Sequence, residues 1–362
     1  MAYTNIDDPT LHFEVLTWSG DGNNTRNITG LDFQPDLSWK KERNQAFSIG
    51  NMWYDSVRGL GVNKHIDSTS TAVEGNGNDE TYGYYTGFIS GGFSVQGGSA
   101  DKDYVNKSGH NYVAWNWLGG GSASSNSDGS ITTSVSANTT AGFSIVTYTL
   151  GSGSGSTTHG HGLGAVPHVI INKSLDQTYN WQVYHHKNTS APETDRLLLN
   201  DINATSDDNR PWNDTAPTSS VFSHGDSSFN GTGDHVSYCY TEKKGYSKFG
   251  SYTGNGNADG TFVYTGFKPA WLMYKASSIS DQSWLIHDNK RGNQGSNANP
   301  QDLRLLANAN NTEADVDIDF LSNGFKTRAG DPHINSSGTT YIYMAFAESP
   351  FVNSNKVPNN AR

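Results

Sequence analysis

"HGLGAVPHVIINK" (161–173) and "TGFKPAWLMYK" (265–275) share one shape, and "LDFQPDLSWKK" (31–41) is a third version of it. Each has a turn-like stretch, a proline, a run of apolar residues and a lysine. The lysine follows the proline by six positions every time: Pro35 and Lys41, Pro167 and Lys173, Pro269 and Lys275. Taken alone, the first stretch invites a phosphate-loop reading. It lacks the glycine-lysine-serine or glycine-lysine-threonine ending of such a loop, and a strand rather than a helix follows it. Its glycines suit turns with positive φ, and Pro167 suits the entry to a strand.

The recurrence extends in both directions. Upstream, Phe13, Phe143 and Tyr246 precede the three prolines by 22, 24 and 23 residues, each before a glycine-rich hairpin. Downstream, "MWYDSVRG" (52–59) corresponds to "WLIHDNKRG" (284–292), which aligns Asp55 with Asp288 and Arg58 with Arg291. The middle copy reads "WQVYHHKN" (181–188) and has neither the aspartate nor the arginine. Each copy ends on a glycine and a strand-like run: "GHNYVAWNW" (109–117), "GDHVSYCY" (233–240) and "GTTYIYMAFAE" (338–348). "SGGFSVQG" (90–97) also matches "SNGFKTRAG" (322–330), with a loose counterpart in "SSVFSHG". Such self-similarity marks a repeated fold.

The runs are short, branched or aromatic, and punctuated by Gly and Asn, as strands are. The expected fold is all-β: three homologous antiparallel β-sandwich units of jelly-roll or lectin-like form. The boundaries read as 1–117 for the first unit, 118–130 for a Gly/Ser-rich linker, 131–244 for the second unit, 245–351 for the third and 352–362 for a C-terminal extension. Phe13, Trp39, Trp53, Trp115, Phe143, Trp181, Trp271 and Trp284 are the expected core aromatics. The apolar alternation at 341–346 is too strong for a solvated edge and calls for a central place or contact with another unit.

Composition bounds the function. Hydrophobic residues make up 33% and mean hydropathy is -0.65, yet aromatics reach 12%, which argues against disorder. A net charge of -11 offers no basic face for nucleic acid. The start of the chain shows no basic leader followed by an apolar run, and no stretch is apolar enough to span a membrane as a helix. The single cysteine, Cys239, alternates with tyrosines and reads as a buried strand thiol.

Candidate chemistry is sparse. His159, His161, His168, His185 and His186 invite a metal reading, but the other two copies lack the group. Asp315, Asp317 and Asp319 alternate on one strand, as a calcium site or as a charged edge that resists pairing. Asp55–Arg58 and Asp288–Arg291 read as turns locked by a carboxylate–guanidinium contact, or as polar ligand contacts. No catalytic constellation, cofactor site or metal site emerges, and the expectation is a protein that is not an enzyme.

"MAYTNIDDPTLHFEV", "LDFQPDLSWKK", "MWYDSVRG", "GGFSV", "NYVAWNW", "ITTSVSANTTAGFSIVTYT", "HGLGAVPHVIINK" and "TYIYMAFAESPF" together resemble a family of repeated β-domain virion structural proteins of marine tailed bacteriophages, cyanophages among them. The resemblance implies a sandwich of concanavalin or laminin-G character. It also implies a place on the virion exterior, as a fibre or surface decoration assembled in the host cytoplasm. Expected partners are other virion proteins and further copies of the chain, a trimer by analogy with fibres. The alternative is a module that binds a host receptor or surface glycan. Neither nucleic acid nor membrane insertion is expected.

Overall fold

The computed structural model describes residues 4–44, 50–152, 155–225, 231–292 and 298–350. The 352–362 extension read from the sequence lies outside them. The first third of the chain forms β1 (Phe13–Ser19), β2 (Thr25–Thr29), β3 (Leu37–Glu42), β4 (Asn51–Asp55), β5 (Ile66–Asp67), β6 (Tyr84–Ile89), β7 (Gly92–Gln96) and β8 (Asn111–Trp117). The middle forms β9 (Ser124–Asn126), β10 (Thr133–Asn138), β11 (Phe143–Leu150), β12 (Thr157–Gly160), β13 (Val169–Ser174), β14 (Gln182–His185), β15 (Asp195–Arg196), β16 (Ser206–Asp207), β17 (Val221–His224) and β18 (Gly233–Tyr240). The last third forms β19 (Ser247–Thr253), β20 (Phe262–Tyr264), β21 (Phe267–Ala276), β22 (Leu285–Asp288), β23 (Gln301–Leu306), β24 (Ala314–Leu321), β25 (Gly324–Thr327) and β26 (Thr340–Pro350). The α-helix among the described residues is a single turn, Asp79–Tyr82. The protein is all-β with antiparallel sheets.

One strand order recurs three times: β1-β8-β3-β4, β11-β18-β13-β14 and β19-β26-β21-β22. The registers agree as well. Trp39 pairs with Trp115 and Trp53, Ile171 with Tyr238 and Val183, and Met273 with Met344 and Ile286. The three prolines therefore enter equivalent strands, and the three lysines end them. Pro269 falls at a register shift in β21, where its missing N–H costs no ladder bond. Gly162 and Gly164, before Pro167, hold φ of +69° and +64°, so the opening glycines do serve turns.

Behind each sheet lies a small second layer: β2-β7-β6 and β12-β17 are sheets of their own, and β24-β25-β20 continues from the third sheet through β23. The loose match at "SSVFSHG" is thus the middle copy of β7 and β25. Two sequence expectations change. Ser247, not Tyr246, stands opposite Phe346 as Phe13 and Phe143 stand opposite Trp117 and Tyr240. Residues 118–130, read as a linker, contribute β9 to the second sheet, and Asp36 accepts from the Gly119 N–H at 2.9 Å.

The period of two assigns each strand one face toward the second layer and one toward the molecule's centre. The outward faces form three separate outer cores. The inward faces of all three sheets form one core. Trp53 lies 5.3 Å from Trp181 and 5.1 Å from Tyr238, Trp117 lies 5.8 Å from Trp271, and Tyr240 lies 6.0 Å from Phe346, ring centroid to ring centroid. The eight aromatics expected in the core are all buried, yet they serve a shared centre rather than three independent ones. The apolar alternation at 341–346 has the same cause: β26 is flanked by β19 and β21, and Ile342, Met344 and Phe346 face the other two sheets.

Candidate functional site: the junctions between sheets

Three sets of equivalent positions stitch the sheets into a ring. The first is the recurrent lysine. Lys173 in the second sheet donates to Thr71 O in the first at 3.1 Å, and to Ser174 O and Tyr179 O at 2.8 and 3.1 Å. Lys275 in the third reaches Ile202 O in the second at 3.2 Å, with Ala276 O and Gln282 O at 3.1 and 2.7 Å. Lys41 in the first reaches Ala309 O in the third at 2.6 Å. The ring closes. Burial pulls the Lys41 and Lys173 ammonium groups down to about 7 and Lys275 to about 8. At Lys173 and Lys275 three carbonyls around one nitrogen favour the charged form, because an ammonium has three donors to place.

The second set lies beside the lysines. Asn51 Nδ2 donates to Leu306 O and Ala309 O, both at 3.0 Å. Trp181 Nε1 donates to Asp67 O at 3.0 Å, and Trp284 Nε1 to Leu198 O at 2.8 Å. Each reaches the same neighbour as the lysine next to it.

The third set contains the Asp–Arg pairs. Arg58 Nε meets Asp55 Oδ2 at 2.5 Å and Arg291 Nε meets Asp288 Oδ2 at 2.6 Å, with all four side chains at 2% exposure or less. Each carboxylate also accepts from a neighbouring sheet: Tyr238 Oη reaches Asp55 at 2.7 Å, and Trp115 Nε1 reaches Asp288 at 2.8 Å. Trp115, Tyr238 and Met344 hold one register position on the three sheets. Methionine has no proton to donate, so an aspartate facing it would be stranded. The middle copy accordingly carries His185, whose Nε2 sits 3.0 Å from Tyr343 O. With no buried anion there, no arginine is needed, and Asn188 takes that place. Asp55, Asp288 and Arg291 are buried and all four residues take part in joining sheets, while Arg58 also lines a cleft.

The remaining candidates do not converge. His159, His161 and His168 are engaged within the middle third, by Thr157 Oγ1, Thr218 O and Thr241 Oγ1, and His186 reaches Phe249 O in β19. Among the described residues no group of three or more His, Cys, Asp or Glu side chains is arranged to hold a metal ion. Asp315 and Asp317 are exposed and Asp319 meets Arg328 at 3.3 Å, but β24 pairs on both sides, so the charged-edge reading is corrected to the solvent face of an interior strand. Burial and the neighbouring Asp302, Asp315 and Asp319 push the Asp317 carboxyl up. Cys239 is fully buried and its thiol is pushed up by burial, which rules it out as a nucleophile.

A cleft of about 590 Å³ separates the first and second sheets, lined by Lys64, Glu74, Thr132, Ser134, Thr147, Thr149 and Asp234 among others. Its two carboxylates are spent: Glu74 meets Arg58 at 2.8 Å and Lys64 at 3.2 Å, and Asp234 accepts from Thr149 at 2.5 Å. A glycosidase needs a pair of carboxyl groups placed across one site, and here Glu74 is tied to two cations.

Residues 8–350 match the model of a family described as a domain of unknown function, DUF7483. The chain belongs to that family. The match runs unbroken through all three sheets, as a shared core requires. No curated protein and no solved structure matches the chain.

Sequence reading found the Asp–Arg pairs and the Pro–Lys spacing but missed the junctions. The signal available was the lysine itself, since a charged residue ending three apolar strands needs a partner.

Proposed function

We propose that this chain is a non-enzymatic structural protein of a bacteriophage virion, carried on the exterior as part of a fibre or as a surface decoration. The observation that supports the non-enzymatic part is that the buried Asp–Arg pairs, lysines and indoles, the recurrent polar groups among the described residues, are used to hold sheets together. The virion assignment rests on the sequence resemblance. Assembly with other virion proteins and with further copies of the chain, a trimer by analogy with fibres, is part of this reading; the inward strand faces are covered within one chain, so such contacts would use outer surfaces and edges. Mass spectrometry of washed, intact particles tests the assignment. The chain should be present in fixed copy number, and its consistent absence would refute the reading.

One observation favours a second reading, attachment to a host surface glycan. Phe262 and Tyr264 project from the same face of β20, at 46% and 55% exposure, and β20 is an edge strand. Two aromatic faces about 7 Å apart can stack on sugar rings. Binding of purified protein to host envelope polysaccharide, lost in a Phe262→Ala/Tyr264→Ala variant and without release of new reducing ends, is the expected result under that reading.

A further inference from the structure

The middle third holds seven of the 12 histidines: His159, His161, His168, His185, His186, His224 and His235. Three of them pack around Tyr148 in the outer core of the second sheet. His235 stacks on the Tyr148 ring at 5.5 Å, His159 lies 3.9 Å away and His224 lies 5.6 Å away, centroid to centroid. Tyr148 Oη sits 2.9 Å from His224 Nε2 and accepts from Asn172 Nδ2 at 2.8 Å. All three imidazoles are at 0% exposure. Nδ1 of His159 and Nδ1 of His224 have no hydrogen-bond partner among the described residues.

The equivalent positions in the other two sheets differ in kind. Where the second sheet stacks Tyr148 on His235, the first stacks Trp18 on Tyr112 and the third stacks Tyr252 on Tyr341. Phe93, Phe222 and Phe325 share one place, and their ladder partners are Ile28, His159 and Val263. Two residues after each phenylalanine come Val95, His224 and Thr327. Three histidines thus replace groups that cannot take up a proton near neutral pH.

We propose that this trio makes the second layer β12–β17 an acid-released flap, which opens from the second sheet while the central core and the other two outer layers stay closed. The groups facing the trio offer little to a new positive charge. His224 feels His159 and His235, and His159 feels His235; all of these oppose protonation. Lys173 on β13 also opposes it at His235, where the Gly231 backbone and Asp234 favour it. Ser237 and Cys239 on β18 are neutral, Phe222 and Trp212 are apolar, and Thr157 serves only His159 Nε2. Asp128 acts on the adjacent His161.

Burial lowers other histidines as far, His185 and His287 to about 3 and His168 to about 4, so the trio is set apart by its packing around one ring and by its unpartnered nitrogens. His65 meets Asp79 at 2.8 Å and His110 meets Glu42 at 2.6 Å. His287, behind the third sheet, has Val316 O at 2.8 Å on one nitrogen and Tyr274 Oη at 3.3 Å on the other. His185 and His186 lie on the junction with the third sheet, each against a carbonyl oxygen, and His168 Nδ1 accepts from the Glu242 N–H at 3.1 Å.

The sign follows from burial. Desolvation lowers His159 to about 3 and His235 to about 4, and lowers His224 well below 6.5. The closed layer therefore excludes protons that an opened one binds at the ordinary value of 6.5. Closure is fully favoured above pH 6.5 and weakens as pH falls toward the closed-state values. At pH 4.5 each histidine that becomes exposed shifts the equilibrium toward the open form by about 100-fold.

Hydrogen exchange followed by mass spectrometry from pH 7.5 to 4.5, corrected for intrinsic rates, tests the proposal on the whole chain. Protection should fall first at 157–160 and 221–224, while 25–29, 92–96, 262–264 and 324–327 keep theirs. A His159→Ile/His224→Val/His235→Tyr variant, which borrows residues of the first sheet, should move the opening to lower pH by about one unit or more. If the triple variant does not fold, the single His235→Tyr gives the same comparison with a smaller shift. Simultaneous loss at all three outer layers, no loss at 157–160 and 221–224, or an unchanged midpoint in the folded variant would overturn it.

Discussion

Asp288→Asn removes one charge and keeps the side chain's shape. In the native protein Asp288 Oδ2 receives Arg291 Nε at 2.6 Å and Trp115 Nε1 at 2.8 Å, all buried. The amide leaves the Arg291 guanidinium with Glu313 Oε1 at 3.0 Å and Ile286 O at 3.2 Å. Breaking a buried ion pair from one side costs about 3–5 kcal/mol. A hydrogen bond to a charged group contributes about 1.5–3 kcal/mol, but the two losses share one atom and do not add. The expected destabilisation is therefore about 3–5 kcal/mol, measured by urea unfolding at pH 7.5. Hydrogen exchange should show it in β8 and β22 alike, because Trp115 belongs to the first sheet and Asp288 to the third. A loss below about 1 kcal/mol, or one confined to residues 285–291, would refute the clasp. Asp259→Asn, whose carboxylate is 85% exposed in its pair with Lys326, is the control and should leave the urea midpoint unchanged.

Other outcomes follow from the same geometry. Lys173→Met strands three carbonyls, among them Thr71 O of the first sheet, and should destabilise by roughly 1–3 kcal/mol, visible as faster exchange near residue 71 as well as near 173. His185→Asp places an anion opposite Met344 with no donor and no arginine; it should destabilise strongly, and partial rescue by Met344→Tyr, which restores the donor that Tyr238 supplies to Asp55, would be read in urea midpoints. Cys239 should resist thiol reagents at pH 8 until the chain unfolds; rapid labelling of the native protein would contradict its burial.

The Pro–Lys spacing made the threefold recurrence legible, because a proline at strand entry and a period of two mark equivalent strands, but the order of those strands in each sheet came only with the structure. The shared core was not legible. Alternation says which face of β8 or β26 is apolar, not whether that face meets its own second layer or another sheet. The absence of an aspartate and an arginine from the middle copy had no explanation in the sequence, because that explanation lies at Met344 and Tyr343, the latter 158 residues from His185. The aspartates of β24 mark a solvated face whether the strand is interior or at an edge, so the pattern could not separate the two. The trio around Tyr148 escaped notice because His159, His224 and His235 meet only through the pairing of β12 with β17 and of β11 with β18.

Calorimetric unfolding at pH 7.5 tests most directly whether three sheets make one cooperative body. A single core shared by Trp53, Trp181, Trp117, Trp271 and Phe346 predicts one endotherm whose calorimetric and van't Hoff enthalpies agree. Two or three resolved transitions, each with the enthalpy of about 100 residues, would mean that the sheets stand alone and that the ring of junctions does not bind them.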